Sequence, residues 1–286
     1  MQPLRNRSLA PFTSMKAGGK AKFIYLPSSI NELKSAVSEL RETNERFMLL
    51  GNGSNTLFSD EGYDGAVIIT SKINNITVQG QRLTAACGAS LNSVAQCAAD
   101  HSLSGLEFVF GIPGTVGGGV YMNAGAYCGE LSDCFVQALC LAPDSKEKLL
   151  TSKDMSFGYR KSVLSDNEYI LLNASFDLKN GNSGDIKANM DNYMRLRREK
   201  QPLEYPSCGS TFKRPDGCYA GVLIEQCGLK GYSIGGAAVS EKHAGFVINK
   251  SNASADDIIK LIEYVSERVF EKTGIRLEPE VRIIRG

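Results

Sequence analysis

A chain of 286 residues with 42% hydrophobic content can bury a sizeable core, in two or three packed units. Its formal net charge of +1, without a long basic cluster, gives no electrostatic case for nucleic acid or an anionic membrane as the main partner. The eight cysteines form no C-x-x-C pair and are joined by only two histidines, His101 and His243, which argues against a zinc site.

In chain order, residues 23–26 read as a strand, followed by a helix on which Ile30, Leu33, Val37 and Leu40 recur at helical spacing behind the cap residues Ser28 and Ser29. Residues 47–50 form a short buried strand that delivers a first glycine loop, and 66–69 a further strand. Segments 76–78 and 83–86 flank Gly80-Gln81 as a hairpin, and Ser90 caps a helix with Leu91, Val94 and Ala98 on one face. A second glycine loop precedes strands at 135–141 and 169–176. After a break at 180–184, a helix from Asp185 places Ile186, Met190, Tyr193 and Met194 on one face and carries Arg195, Arg198 and Lys200 toward its end. Pro202 stops it, and the domain boundary is set here, giving units of 1–184 and 185–286. The second unit ends in a long amphipathic helix with Ile258, Ile262, Val265 and Val269 in step, Gly274 as its stop, and a last strand at 275–284 that carries Glu280. The first residues hold no apolar signal core and no long apolar segment follows, so the cysteines are expected to be reduced and mostly buried, in a cytoplasmic protein.

The glycine loops are the most informative feature. They are Gly51-Asn52-Gly53-Ser54-Asn55 and Gly111-Ile112-Pro113-Gly114-Thr115-Val116-Gly117-Gly118-Gly119, the latter running on to Asn123, Ala124 and Gly125. A backbone without Cβ atoms can approach a ligand closely and aim N–H groups at it, so two such loops point to a large phosphate-bearing cofactor. Thr56 stands where a dinucleotide fingerprint needs its third glycine, and no Gly-Lys-Ser/Thr ends either loop, which sets aside the doubly wound and P-loop folds.

Three further segments could do chemistry: Phe157-Gly158-Tyr159-Arg160, Cys208-Gly209-Ser210-Thr211-Phe212-Lys213-Arg214, and Leu277-Glu278-Pro279-Glu280-Val281-Arg282. A redox cofactor supplies hydride chemistry and leaves the protein to supply a clamp and a proton. An arginine fork pairs a carboxylate bidentately, and a hydroxyl on a glycine turn such as Ser210 could deliver the proton. Each has a plainer reading as well: Arg160 as a surface ion-pair residue at the end of an aromatic-rich strand, Ser210 as a turn serine, Glu280 as a solvated carboxylate. No nucleophile elbow or Ser/His/Asp set occurs, and His243 stands as a ligand contact. From the residues alone, a flavin-like or nucleotide-like cofactor stays open, with oxidoreductase chemistry favoured.

The motifs at 50–55, 105–108, 111–118 and 122–127, with Phe157–Arg160, Gly209–Lys213 and Leu277–Val281, closely resemble the UDP-N-acetylenolpyruvoylglucosamine reductase family, in order from about Phe12 to the C-terminus. That resemblance implies an α+β protein: a two-subdomain FAD-binding fold of the vanillyl-alcohol oxidase and p-cresol methylhydroxylase type over 1–184, divided near 72–78, and a smaller α+β domain over 185–286 for the UDP-sugar. It implies NADPH-dependent reduction of UDP-N-acetylglucosamine enolpyruvate to UDP-N-acetylmuramate for peptidoglycan, with non-covalent FAD and no obligate protein partner. Arg160, Ser210 and Glu280 would be catalytic. Gly51, Asn52, Gly53, Ser54, Asn55, Gly111, Pro113, Gly114, Thr115, Gly117, Gly118, Asn123, Gly125 and Ala126 would hold FAD, and Lys200, Arg214 and His243 would contact the nucleotide diphosphate. The short stretch between Arg160 and Asn180 matches the shorter, second type of the family. Met15-Lys16-Ala17-Gly18-Gly19, Gly119 and Cys128 depart from the usual pattern. The rival readings are a flavin oxidase of the same fold and a catalytically silent nucleotide-sugar binding module.

Overall fold

The computed structural model describes residues 1–286 except Cys128 and Asn167, and of Asp166 the backbone only. The departure from the family pattern at Cys128 therefore lies outside the described residues. The chain divides into two compact units that do not follow a single cut. One holds Met1–Pro3, Tyr25–Asn52 and Val67–Leu196, the other Leu4–Ile24, Gly53–Ala66 and Arg197–Gly286. In the second half of the chain the C-terminal unit begins at Arg197, and it also takes in the two early segments Leu4–Ile24 and Gly53–Ala66.

The first unit is built on a five-stranded antiparallel sheet in the order Glu147–Thr151, Phe135–Leu141, Ile170–Asp177, Arg82–Ala86, Ile76–Gln79. Alternation is weak in the central strand Ile170–Asp177, where seven of eight positions are covered, as a strand covered on both faces requires. Helix α1 (Ile30–Glu42) starts where the Ser29 hydroxyl accepts the Glu32 N–H, and it buries Leu33, Ala36, Val37 and Leu40 on one face. Helix α2 (Leu91–Asp100) is capped in the same way by Ser90 and buries Leu91, Val94 and Ala98. Helix α3 (Val116–Tyr121) was not signalled by its sequence, which holds three glycines. Packing and capping overcome that propensity: Thr115 caps it through the Gly118 N–H, and Val116 and Val120 are buried. Helix α4 (Val163–Asp166) is a single turn, and helix α5 (Ser183–Lys200) buries Ile186 and Met190 as the spacing predicts.

The second unit packs helix α6 (Ala220–Gln226) and helix α7 (Ala255–Thr273) with a three-stranded antiparallel sheet of Ser233–Ile234, Ala237–Val239 and Val247–Asn249. Its core includes Leu57, Phe212, Ile224, Ile258, Ile262, Val265, Val269 and Val281. Gly274 ends α7 in the left-handed conformation, φ +74°, that a C-terminal stop favours. The expected strand over 275–284 is cut to Arg282–Ile284, which pairs in parallel with Thr56–Phe58. Glu280 lies ahead of this strand rather than on it. Pro279 cannot donate to a ladder, and it makes only an isolated bridge opposite Phe212.

Asp60 joins the early segment to α7. Its carboxylate accepts the N–H groups of Ala255 and Asp256 at 3.0 and 2.9 Å, at the positive end of the helix dipole. Asp60→Ala is expected to lower unfolding free energy by about 1 kcal/mol, the usual worth of a helix-start acceptor, measured by urea denaturation; unchanged stability would contradict this role.

Candidate flavin and catalytic site

The two glycine loops are shaped differently. In the first, among the described residues, the backbone N–H groups of Gly51, Asn52, Gly53 and Ser54 find no protein acceptor. A run of unpaired N–H groups on a turn is an anion-binding concavity. Gly53 has φ +59°, and a Cβ there would lie 2.4 Å from the Phe12 carbonyl oxygen, so the turn demands glycine. In the second loop the corresponding groups are spent within the protein. Val116 N–H goes to Ala89 O, Gly117 to Cys87 O, Gly118 to the Thr115 hydroxyl, and Gly111 to the Asn92 carboxamide oxygen.

Both loops meet at Gly51. A Cβ on that residue would sit 2.3 Å from Thr115 Oγ1, and the Asn52 carboxamide donates to Pro113 O at 3.0 Å. Gly117 and Gly119 face packed neighbours, Cys87 O and Leu131 Cδ1, each 3.0 Å from an added Cβ. Gly118 does not: it is exposed, and the nearest atom to an added Cβ is Thr115 Oγ1 at 3.7 Å. Nothing in the protein requires a glycine there, whereas a flat ligand lying on the backbone would. Open N–H groups of the one kind suit a phosphate, and a bare backbone of the other kind suits a flat ligand.

The two asparagines expected to touch the cofactor turn their side chains elsewhere. Asn55 donates through Nδ2 to the Glu280 carbonyl at 3.0 Å, and its own carbonyl accepts the Arg282 N–H. Asn123, 1% exposed, donates to Gly158 O at 3.3 Å and accepts the Ser132 N–H at 3.0 Å. Gly125 and Ala126 lie in a two-residue strand paired with Gly129–Glu130.

Arg160 does not end a strand. It occupies a tight turn closed by the Lys161 N–H on Gly158 O at 3.1 Å, with φ +55°, and its guanidinium lies over the Tyr159 ring. Ser210 follows the left-handed Gly209 and is exposed. Ser210 and Glu280 are brought together in the second unit by Thr211, whose backbone and side chain are 2% exposed. Its carbonyl accepts Glu280 N–H at 2.8 Å, its N–H donates to Gly245 O, and its hydroxyl accepts Val247 N–H at 2.9 Å. Nothing in the sequence marks Thr211 apart from other threonines; its part follows from its burial and its hydrogen bonds. Arg160 belongs to the first unit.

Of the expected diphosphate contacts, Lys200 is exposed at the end of α5, and the Arg214 guanidinium stacks 4.0 Å over the Tyr219 ring. His243 accepts the Gly245 N–H on Nδ1, which leaves its proton on Nε2. Burial, assisted by Lys230, pushes the imidazole below the usual histidine value, so it is a neutral donor near pH 7. Burial also pushes the Cys87, Cys134 and Cys140 thiols up to about 12 and Cys208 up to about 11. Four of the seven described cysteines are buried and all seven are free. No metal-binding cluster occurs among the described residues.

The C-terminal domain profile of UDP-N-acetylenolpyruvoylglucosamine reductase matches residues 201–284, and a FAD binding domain profile matches 21–149. The reductase of Caldanaerobacter subterraneus subsp. tengcongensis is 47% identical over 279 residues, covering 98% of this chain and 92% of that protein. That of Caldicellulosiruptor bescii is 48% identical over 285 residues, covering 98% and 90%. The chain belongs to the UDP-N-acetylenolpyruvoylglucosamine reductase family. The Thermus caldophilus member aligns in structure with a TM-score of 0.86 at 34% identity, over 99% of both chains. With the family established, the match of a FAD binding domain to 21–149 agrees with the cradle read from the loops.

Gly118→Leu is expected to leave the fold intact by circular dichroism and to abolish FAD retention, read as absorbance near the flavin maximum per chain; a yellow variant would remove the cofactor from this backbone. In a nitrogen-detected titration His243 is expected to titrate below the free value of about 6.5 with the Nε2–H tautomer. A midpoint above that value, or an Nδ1–H tautomer, would contradict the neutral-donor assignment.

Proposed function

We propose that this chain reduces UDP-N-acetylglucosamine enolpyruvate to UDP-N-acetylmuramate at the expense of NADPH, through bound FAD, as a step of peptidoglycan precursor synthesis. Family membership across 98% of the chain supports the reaction, and the observation that carries its chemistry is Ser210 and Glu280 tied to the two sides of buried Thr211. FAD, held non-covalently by the loops at 51–55 and 111–118, supplies hydride transfer. We assign it to the part of the chain before residue 185 and the UDP-sugar to residues 185–286. No helix among the described residues is long and apolar enough to cross a membrane.

In the net reaction the carbon–carbon double bond of the enolpyruvyl group becomes a single bond. A hydride equivalent from NADPH arrives at the methylene carbon, a proton arrives at the carbon beside the carboxylate, and NADP⁺ leaves. As the hydride arrives, negative charge builds next to the carboxylate. Arg160 is assigned to that carboxylate, where a guanidinium stabilises growing charge through paired donors. Ser210 delivers the proton, and Glu280 assists by hydrogen bonding at the same end of the substrate. Lys200 and Arg214 supply the positive charge for the diphosphate, and His243 adds a neutral Nε2–H donor.

Ser210→Ala separates the two halves of the reaction. Stopped-flow bleaching of the bound flavin by NADPH is expected at near-parental rate, while reoxidation by the enolpyruvyl sugar slows by about 10²-fold or more, the low end for a lost general acid. Reoxidation at the parental rate, or loss of the NADPH step instead, would remove Ser210 from proton delivery.

A further inference from the structure

The turn that bears Arg160 is held in an unfavourable shape, and Asn123 is one of the residues that hold it. Arg160 occupies the third position of the turn Gly158–Lys161 with φ +55°. That left-handed position suits glycine or asparagine, and a longer side chain persists there only where the surroundings over-determine it. Three ties do so. The Phe157 ring packs edge-on against Phe135 at 5.0 Å. Buried Ser162 donates through its hydroxyl to the Tyr121 carbonyl at 2.9 Å. Between them, Asn123 Nδ2 reaches Gly158 O, the same carbonyl that closes the turn on Lys161.

The orientation of the Asn123 carboxamide is dictated by its partners. The Ser132 N–H can only face Oδ1, and the Gly158 carbonyl can only face Nδ2. With 1% exposure the side chain is spent on two protein segments. Its backbone, in turn, is fixed by the flavin loop: Asn123 follows Met122, the C-cap of α3, with its N–H on Val120 O and the Ala124 N–H on Gly119 O. Tyr121, which receives Ser162, ends the same helix. One short helix thus carries the backbone surface assigned to the cofactor at Gly118 and, at its other end, both polar anchors of the Arg160 turn.

We propose that Asn123 is a positioning residue for Arg160, fixing the guanidinium for the substrate carboxylate, rather than a ligand of the cofactor. This rests on the role assigned to Arg160 above. The test is a double-mutant cycle on the FAD-loaded enzyme, with Asn123→Ala, Arg160→Ala and the combination, each followed through both half-reactions and through FAD content. Asn123→Ala is expected to keep its FAD and its rate of reduction by NADPH, while reoxidation by the enolpyruvyl sugar falls by about 10- to 100-fold, as for a misplaced catalytic group. In the Arg160→Ala background the same substitution is expected to change reoxidation by less than about twofold. Loss of FAD or of the NADPH step in Asn123→Ala makes Asn123 a cofactor residue and overturns the proposal, as does a full effect in the double variant. Parental reoxidation in Arg160→Ala alone overturns the underlying role of Arg160 instead. Should Asn123→Ala fail to fold, Asn123→Asp, which keeps the volume and the acceptor for Ser132 and removes the donor to Gly158, enters the same cycle with the same expected and contrary outcomes.

Discussion

Close approach of the Gly51 backbone to the Thr115 side chain sets the shape on which the first unit's site depends. No Cβ fits at residue 51, because it would fall 2.3 Å from Thr115 Oγ1. The same hydroxyl caps α3 through the Gly118 N–H. The contact therefore fixes the two loops against each other and starts the helix that carries Gly118 and leads, past its cap Met122, to Asn123. Moving Thr115 by a few tenths of an ångström would be felt along six residues of helix and at the Gly158 carbonyl, since packed elements transmit strain rather than absorb it. The division of labour between the loops follows. The first keeps its N–H groups unpaired and can meet phosphate charge, whereas the second spends its N–H groups on Cys87, Ala89 and Asn92 and offers a bare surface.

In the second unit the comparable constraint is Thr211. A buried threonine that satisfies the N–H groups of Glu280 and Val247 while donating its own to Gly245 leaves little freedom to the residues beside it. Ser210 and Glu280 inherit that rigidity. Asn55 adds a tie from the end of the first glycine loop to the Glu280 carbonyl, and the parallel pairing of Thr56–Phe58 with Arg282–Ile284 continues it. Side chains on a backbone held by hydrogen bonds of this kind lose little entropy on reaching a productive geometry, which suits the roles proposed for them.

Much of this was legible in the amino-acid sequence where periodicity and capping agree. Helices α1, α2 and α7 announce themselves through apolar spacing and the caps Ser29, Ser90 and Gly274, and the hairpin about Gly80 through its turn residues. Helix α3 was hidden because its glycines argue against helix and its stability comes from burial and a cap on Thr115. The last strand is shorter than its apolar pattern suggests, because Pro279 cannot extend that pattern into a ladder. The pairing of Thr56–Phe58 with Arg282–Ile284, and the place of Leu4–Ile24 and Gly53–Ala66 in the C-terminal unit, leave no local mark. The candidate site was legible as a set of residue types in motifs. Asn55 and Asn123 are implied as cofactor residues by the family resemblance alone, and in the structure their carboxamides donate to the Glu280 and Gly158 carbonyls.

The most direct test of the assignment is to incubate the purified holoenzyme with NADPH and UDP-N-acetylglucosamine enolpyruvate without oxygen and to weigh the sugar nucleotide by mass spectrometry. One NADPH is expected to be consumed for each molecule of a product heavier by two hydrogens. An unchanged sugar nucleotide, with NADPH consumed only when oxygen is admitted, would contradict it and point to an oxidase.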